Sequence, residues 1–354
     1  MPRDHRSHLW PGVPFALGAA LLFGVSTPLS KLLLGAIDPW MLAGLLYLGA
    51  GCGLIIVRVI RNGLQNQTRE AALSARDYPW LLLVVIIGGI IGPLLLVFGL
   101  LQTNAGEASL LLNLEGLATM AIAWLVFHEN VDRRLLMGAV AILLGAVVLS
   151  WNGNGFHVGL GGVMIAGACL AWGIDNNLTR KLSSADPVQI AMIKGLVAGG
   201  MNVALAMGLG AHIPDVGTVA LACIVGFFGI GVSLVLFMLG LRHLGTARTG
   251  AYFSMAPFIG AGMAVVMLRE PVTWQLIVAA LLMLFGLWLH LAERHVHEHS
   301  HVELEHDHAH VHDEHHMHAH GPDMTEPHAH LHRHEPMRHK HPHYPDLHHR
   351  HRHG

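Results

Sequence analysis

GLLQTNAGEASLLLNLEGLATMAIAWLVFHENVDRRLLMGAVAILLGAVVL, residues 99–149, returns later as GLRHLGTARTGAYFSMAPFIGAGMAVVMLREPVTWQLIVAALLMLFGLWL, residues 240–289. Laid over one another from Gly99 and Gly240, the copies put Glu129 on Glu270 and Gly145 on Gly286. Upstream, FGVSTPLSKLLLGAIDPW from Phe23 lies over WGIDNNLTRKLSSADPVQ from Trp172, and, once one residue is skipped, Asp38-Pro39 falls on Asp186-Pro187. Runs of about 20 apolar residues, the length needed to cross a bilayer as a helix, recur around ten times. They lie at roughly 13–34, 39–60, 79–101, 106–127, 134–151, 158–180, 188–208, 217–241, 247–267 and 272–292. Each repeat then holds five spans. An odd number makes the second copy enter from the opposite side, which predicts an all-α membrane protein built as two inverted-topology five-helix repeats.

Composition points the same way. Of 354 residues 53% are hydrophobic and 12% charged, where soluble domains carry about a quarter charged residues. A formal net charge of -2 suggests neither nucleic acid nor an acidic partner. Cys52, Cys169 and Cys223 are scattered through apolar runs without C-x-x-C spacing, and are expected to be buried small side chains. The start, MPRDHRSHLWPG, is too polar for a cleaved signal peptide, so insertion by an uncleaved first helix is expected.

Loop charge predicts orientation, because Lys and Arg stay on the cytoplasmic side. Arg58, Arg61, Arg69 and Arg76 crowd one gap, Arg133 and Arg134 another, Arg180 and Lys181 a third, Arg242 and Arg248 a fourth. The alternate gaps QTNAGE, NGNGFHVG and GAHIPDVG carry none, and Arg269 is the one discordant charge. The expected layout is a short cytoplasmic N-terminus (1–12), repeats at 13–151 and 158–292, and a cytoplasmic tail (293–354), in an inner membrane. The lipid bilayer and a small-molecule or metal-ion solute are the expected partners, nucleic acid is not, and homodimerisation stays open.

Over about residues 12–292 the chain resembles the EamA-type families of the drug/metabolite transporter superfamily. The likeness rests on the FG or WG early in each repeat, the small-residue stretch after the third span, the His-Glu or Arg-Glu pair, and the glycine-rich closing span. It implies ten helices in two inverted halves and transport of small metabolites or drugs without ATP. One departure stands out: where the second half has Pro257, the first half has Glu115.

Glu115 sits mid-span in ASLLLNLEGLATMAIAW, with Asn113 two residues before it. A carboxylate at membrane depth costs about 3 kcal/mol on insertion scales, so it marks a coupling or cation-binding acid, against the alternative of a neutral packing Glu. Trp172, Asp175 and Asn176 form a second candidate group, with Lys194 as a partner for Asp175. The competing account has Lys194 snorkelling to the interface, and the same holds for Lys31 near the outer end of its span. Glu129 and Glu270 precede each repeat's last helix, where acids complement the helix dipole. Glycines such as those in VIIGGIIGP and KGLVAGG are expected at close helix contacts.

The tail opens HVHEHSHVELEHDHAHVHDEHHMHAH from His295 and holds most of the chain's 30 histidines. Interleaved acids set it apart from a purification tag. Neutral imidazole and carboxylate suit Zn, Ni or Co, which makes His295, His297, His299, His301, His306, His308, His310, His312, His315, His316, His318 and His320 the candidate ligands. Prolines and scarce apolar bulk predict disorder. No cofactor is required by this reading. Export of a divalent metal is the first expectation, metabolite or drug efflux with a regulatory tail the second, and a membrane-anchored metal store the third. An enzyme is least supported, since no nucleophile–base arrangement or nucleotide loop is present.

Overall fold

Both Asp-Pro pairs start a helix. Asp38 Oδ1 accepts from the amides of Trp40 (2.9 Å) and Met41 (3.3 Å), and Asp186 Oδ1 from Val188 (2.9 Å). These acids satisfy first-turn N–H groups, and the proline that follows needs no donor there. Asp215 does the same for Gly217 and Thr218, and the Thr218 hydroxyl and amide hold its carboxyl below the usual carboxylate range.

The computed structural model describes residues 12–63, 73, 77–127, 133–151, 159–179, 186–244 and 246–291, with the backbone of tail segments 295–300, 304–310, 328–334 and 338–343. Helix α1 is Gly12–Leu33 and α2 Pro39–Gly63. Helix α3, Tyr78–Gln102, passes through a π-helical stretch at Val85–Ile91. Helix α4 is broken into Ala105–Leu111 and Leu114–Phe127. Next come α5 (Arg133–Leu149), α6 (Leu160–Thr179) and α7 (Pro187–Gly208). Helix α8 runs Val216–Gly226, a π-helical Phe227–Val232, then Ser233–Leu244. Helix α9 is split into Thr246–Phe253 and Ala256–Leu268, and α10 is Trp274–Leu291.

Among the described residues six stretches are long and apolar enough to cross a membrane: Gly12–Leu33, Pro39–Ile60, Tyr78–Gln102, Ala105–Val126, Val188–Gly208 and Val216–Gly240. The count differs from the ten runs for physical reasons. Helix α5 has 17 residues, the apolar part of α9 and most of α10 are no longer than that, and α6 spends its last third on Trp172, Asp175, Asn176, Asn177 and Thr179.

Side chains are distributed as lipid solvent requires. Ala16, Ala19, Ala20, Ala198 and Ala279 are fully buried, while Ile56, Leu82, Leu125 and Val163 are more than half exposed. Small residues inside let backbones approach closely, and large apolar side chains face outward, the reverse of a water-soluble surface. Helix α2 crosses α7 so closely that a Cβ on Gly195 would meet Gly51 N at 2.6 Å. Helix α5 meets α10 similarly, with a Cβ on Gly286 falling 2.6 Å from Gly138 O.

Several expectations change. Over the stretch 99–149 the repeat offset puts Glu115 opposite Ala256, so Pro257 matches Gly116 and lies one residue further on. Both helices nevertheless break at that level, after Leu111 in α4 and after Phe253 in α9. Cys52 is exposed, whereas Cys169 is buried and Cys223 half-buried. A small side chain on the lipid side meets no penalty, so apolar surroundings in sequence do not imply burial.

The tail was expected to be disordered, but parts of its backbone pair as strands. His295–Ser300 lies antiparallel to Arg338–His343, and Leu304–His310 to His328–His334. The His-x-His alternation has the period of two that a strand requires. Residues 1–11, Glu129, Arg180, Lys181, the loop NGNGFHVG up to residue 158, Glu293 and His301, His312, His315, His316, His318 and His320 lie outside the described residues.

Candidate solute and coupling site

The break in α4 brings a carboxylate to α6. Gly173 permits the approach, since a Cβ there would fall 2.9 Å from Thr119 N. Asn176 Nδ2 donates to Glu115 Oε1 at 2.9 Å and to Thr119 Oγ1 at 3.3 Å, while the Thr119 hydroxyl donates to Glu115 O at 2.9 Å. The next residue, Asn177, donates through Nδ2 to Thr119 O (3.1 Å) and Gly173 O (2.8 Å). Asn176 is exposed and Glu115 half-buried, with open space where a Cβ on Gly116 would sit. The acid–amide pair is thus reachable from outside the protein interior.

Behind it lies a closed ion pair. Lys194 Nζ of α7 donates to Asp175 Oδ2 of α6, and the two side chains are 13% and 7% exposed. The ammonium turns inward to that carboxylate, so the contact with Asp175 and not a reach to the interface sets its position. The Thr179 hydroxyl is a distant second neighbour of Asp175, at 3.5 Å.

Trp172 joins this group through α3, its Nε1 donating to Gly88 O at 3.0 Å. Asn113 does not: its Nδ2 donates to Leu110 O at 2.9 Å and faces Met283 Sδ at 3.7 Å, on the α10 side of the break. Sequence reasoning missed Thr119, Tyr47 and Asn202. Tyr47 OH also donates to Gly88 O (3.0 Å), and Asn202 Nδ2 to Gly89 O (3.3 Å). Asn202 is fully buried and Tyr47 nearly so. Both are lone polar side chains in apolar runs, the signal that singled out Glu115. Among the described residues no group of three or more His, Cys, Asp and Glu gathers to hold a metal ion.

The EamA-like transporter family matches this chain twice, over residues 10–151 and 159–292. The chain belongs to that family. A relative named "Uncharacterized transporter" from Methanothermobacter thermautotrophicus is 31% identical over 297 residues, covering 79% of this chain and 86% of the relative. A Salmonella typhimurium protein named "Probable amino-acid metabolite efflux pump" is 27% identical over 205 residues, covering 52% of this chain and 67% of that protein. One solved crystal structure shares the fold, with a TM-score of 0.59 at 19% identity, covering 78% of this chain and 95% of that one.

In this EamA-like chain two more charged side chains close helix ends away from the cluster. Glu270 accepts from Ala105 N (2.7 Å) and Gly106 N (2.8 Å), capping the first turn of α4. The acid was expected to serve its own repeat's last helix. Instead Arg269, at φ 53° in the left-handed region, turns the chain so that Glu270 serves a helix of the other half. Lys31 donates to Leu100 O and to Thr103 O (3.1 Å), satisfying carbonyls at the C-terminal end of α3. At the opposite end of α10, His290 Nε2 lies 3.0 Å from Leu135 O of α5.

Proposed function

We propose that this chain is a secondary-active exporter of a small organic solute carrying an ammonium and a carboxylate, working by alternating access between two inverted five-span halves. Equivalent positions in the two halves make equivalent contacts, which supports the inverted repeat. A Cβ on Gly24 of α1 would meet Gly260 N of α9 at 3.2 Å, as one on Gly173 of α6 would meet Thr119 N of α4 at 2.9 Å. A Cβ on Gly229 would meet Ser26, as one on Gly88 would meet Asp175.

The observation that carries the solute class is an open acid beside a closed pair of opposite charges. Glu115, held by Asn176, presents a carboxylate to an ammonium. Lys194, held by Asp175, supplies the cation for a carboxylate. Desolvating both ends of a zwitterion at membrane depth requires both signs at fixed positions. The efflux-pump name of the Salmonella relative is in keeping with this. Proton exchange at Glu115 would supply the driving force. The described site suits binding and release and offers no nucleophile–base arrangement. The inner membrane and a cytoplasmic tail complete the proposal.

The test is efflux from proteoliposomes loaded with radiolabelled amino acids. Glu115→Gln keeps the Asn176 contact and removes ionisation, so transport should fall while the protein stays folded. Normal flux in Glu115→Gln across pH, with loss only in Glu115→Leu, would assign Glu115 to packing.

A second reading, export of divalent Zn, Ni or Co, rests on the His-rich tail. Within the membrane the described residues offer two acids at the site, and Lys194 already engages one of them. The tail then serves as a cytoplasmic metal buffer or as a device delivering ions to the mouth. Flux of metal through the tail-deleted chain at saturating metal would support the second reading. Absence of flux for every divalent metal, with or without the tail, would remove it.

A further inference from the structure

Helix α3 carries a proline whose consequences reach the ion pair. Pro93 has no N–H, so it cannot donate to Gly89 in an α-helical ladder or to Gly88 in a π-helical one. The remaining backbone donor in α-helical register with Gly88 is the Gly92 amide, and it reaches back to Ile87 O instead. Two consecutive carbonyls at membrane depth therefore lose their α-helical donors, where bare polar groups cost several kcal/mol each. Three other helices supply the replacements. Tyr47 of α2 and Trp172 of α6 both donate to Gly88 O at 3.0 Å, and Asn202 of α7 donates to Gly89 O at 3.3 Å. All three donors are buried.

These donors flank the Asp175–Lys194 pair. Trp172 and Asp175 lie three residues apart, one above the other on α6, and Lys194 and Asn202 lie about two turns apart on α7. The Asp175 carboxyl occupies the space a Cβ on Gly88 would need, and the Lys194 stem runs 3.5 Å from where a Cβ on Gly89 would be. The corresponding place in α8 has a π-helical stretch of its own, but Leu234 stands there in place of a proline.

We propose that the Pro93-freed peptide at Gly88–Gly89 is the seat of the Asp175–Lys194 pair, and that Tyr47 is a positioning residue acting on the pair through the Gly88 carbonyl. The inference rests on the solute reading above for its transport consequence, but its geometry can be tested without any solute. Pro93→Ala restores a donor at 93. The amides of residues 92 and 93 can then return to Gly88 and Gly89, withdraw both carbonyls from Tyr47, Trp172 and Asn202, and shift the surface on which Asp175 rests.

The experiment uses full-length protein in proteoliposomes and reads two quantities. The first is the rate at which acetic anhydride acetylates Lys194 at fixed pH, measured by peptide mass. The second is KM and maximal rate for efflux of a labelled amino acid. Tyr47→Phe should speed Lys194 acetylation and raise KM about three- to tenfold, the worth of one neutral hydrogen bond, with the maximal rate little changed. Pro93→Ala should do at least as much. In the Pro93→Ala background Tyr47→Phe should add nothing, because the carbonyl it served has been reclaimed by the helix.

Equal effects of Tyr47→Phe in both backgrounds would overturn the proposal, as would Lys194 acetylation unchanged in Pro93→Ala. If Pro93→Ala does not fold, the pair Tyr47→Phe with Trp172→Phe strips the carbonyl of both donors. Acetylation at the wild-type rate there would equally overturn it. Acetylation that responds as expected while wild-type protein moves no amino acid would leave this positioning role standing and remove the solute reading.

Discussion

Removing the Lys194 ammonium leaves Asp175 with a charge and no counter-charge. In Lys194→Met the stem volume is kept, so packing is conserved while the ion pair is lost. The two side chains are 13% and 7% exposed, and the Thr179 hydroxyl at 3.5 Å is too far for a good hydrogen bond. Stranding one member of a buried pair costs about 3–5 kcal/mol in soluble proteins. Polar contacts inside membranes are often worth less, because the unfolded reference in lipid also finds partners, so about 3 kcal/mol is the expected loss. Adding Asp175→Asn removes the stranded charge and should return most of it. Stability is read by reversible unfolding of purified protein in mixed detergent micelles, comparing wild type, Lys194→Met, Asp175→Asn and the double variant. The reasoning is refuted if Lys194→Met is as stable as wild type, or if the double variant is no more stable than Lys194→Met. The folded double variant should still bind solute poorly, with a raised KM, since both fixed charges behind Glu115 are gone.

Glu270→Ala removes the acceptor for two first-turn amides of α4 and should cost about 1–2 kcal/mol, the usual worth of a lost cap. Glu270→Gln, which keeps one acceptor oxygen, should lose clearly less, and equal losses for the two would speak against capping. A reporter fused after Glu293 should be cytoplasmic and one placed in NGNGFHVG external, because the basic gaps alternate in that register; a periplasmic tail would sink this topology. Metal bound to the tail should be released as pH drops through about 6, since imidazole binds metal as the neutral base. Equilibrium dialysis showing full occupancy at pH 5 would contradict imidazole ligation.

Membrane character could be read from the chain alone, because hydrocarbon imposes a one-dimensional rule: about 20 apolar residues per span, with basic residues gathered in alternate gaps. Asp38 and Asp186 were legible as matching positions of the repeat, and the structure shows why both are acids: each caps amides two or three residues away. Glu115, Trp172, Asp175, Asn176 and Lys194 stood out because charge and amide are costly in an apolar run. Lys194 was offered as a partner for Asp175 beside a snorkelling alternative, and the ion pair across α6 and α7 decides between them. That outcome, and that Asn113, two residues from Glu115, turns to α10, depend on helix rotation, which the sequence leaves open. Glu270 shows the same limit: its capping chemistry was expected, but the left-handed Arg269 sends it to Ala105 and Gly106, more than 160 residues away in the chain. Pro93 was not singled out in the sequence, although it lacks the N–H that an α-helical ladder at Gly89 needs. Which helices would supply the missing donors was decided only when α2, α6 and α7 packed around Gly88 and Gly89, because hydrogen bonds lost along a helix are regained between helices.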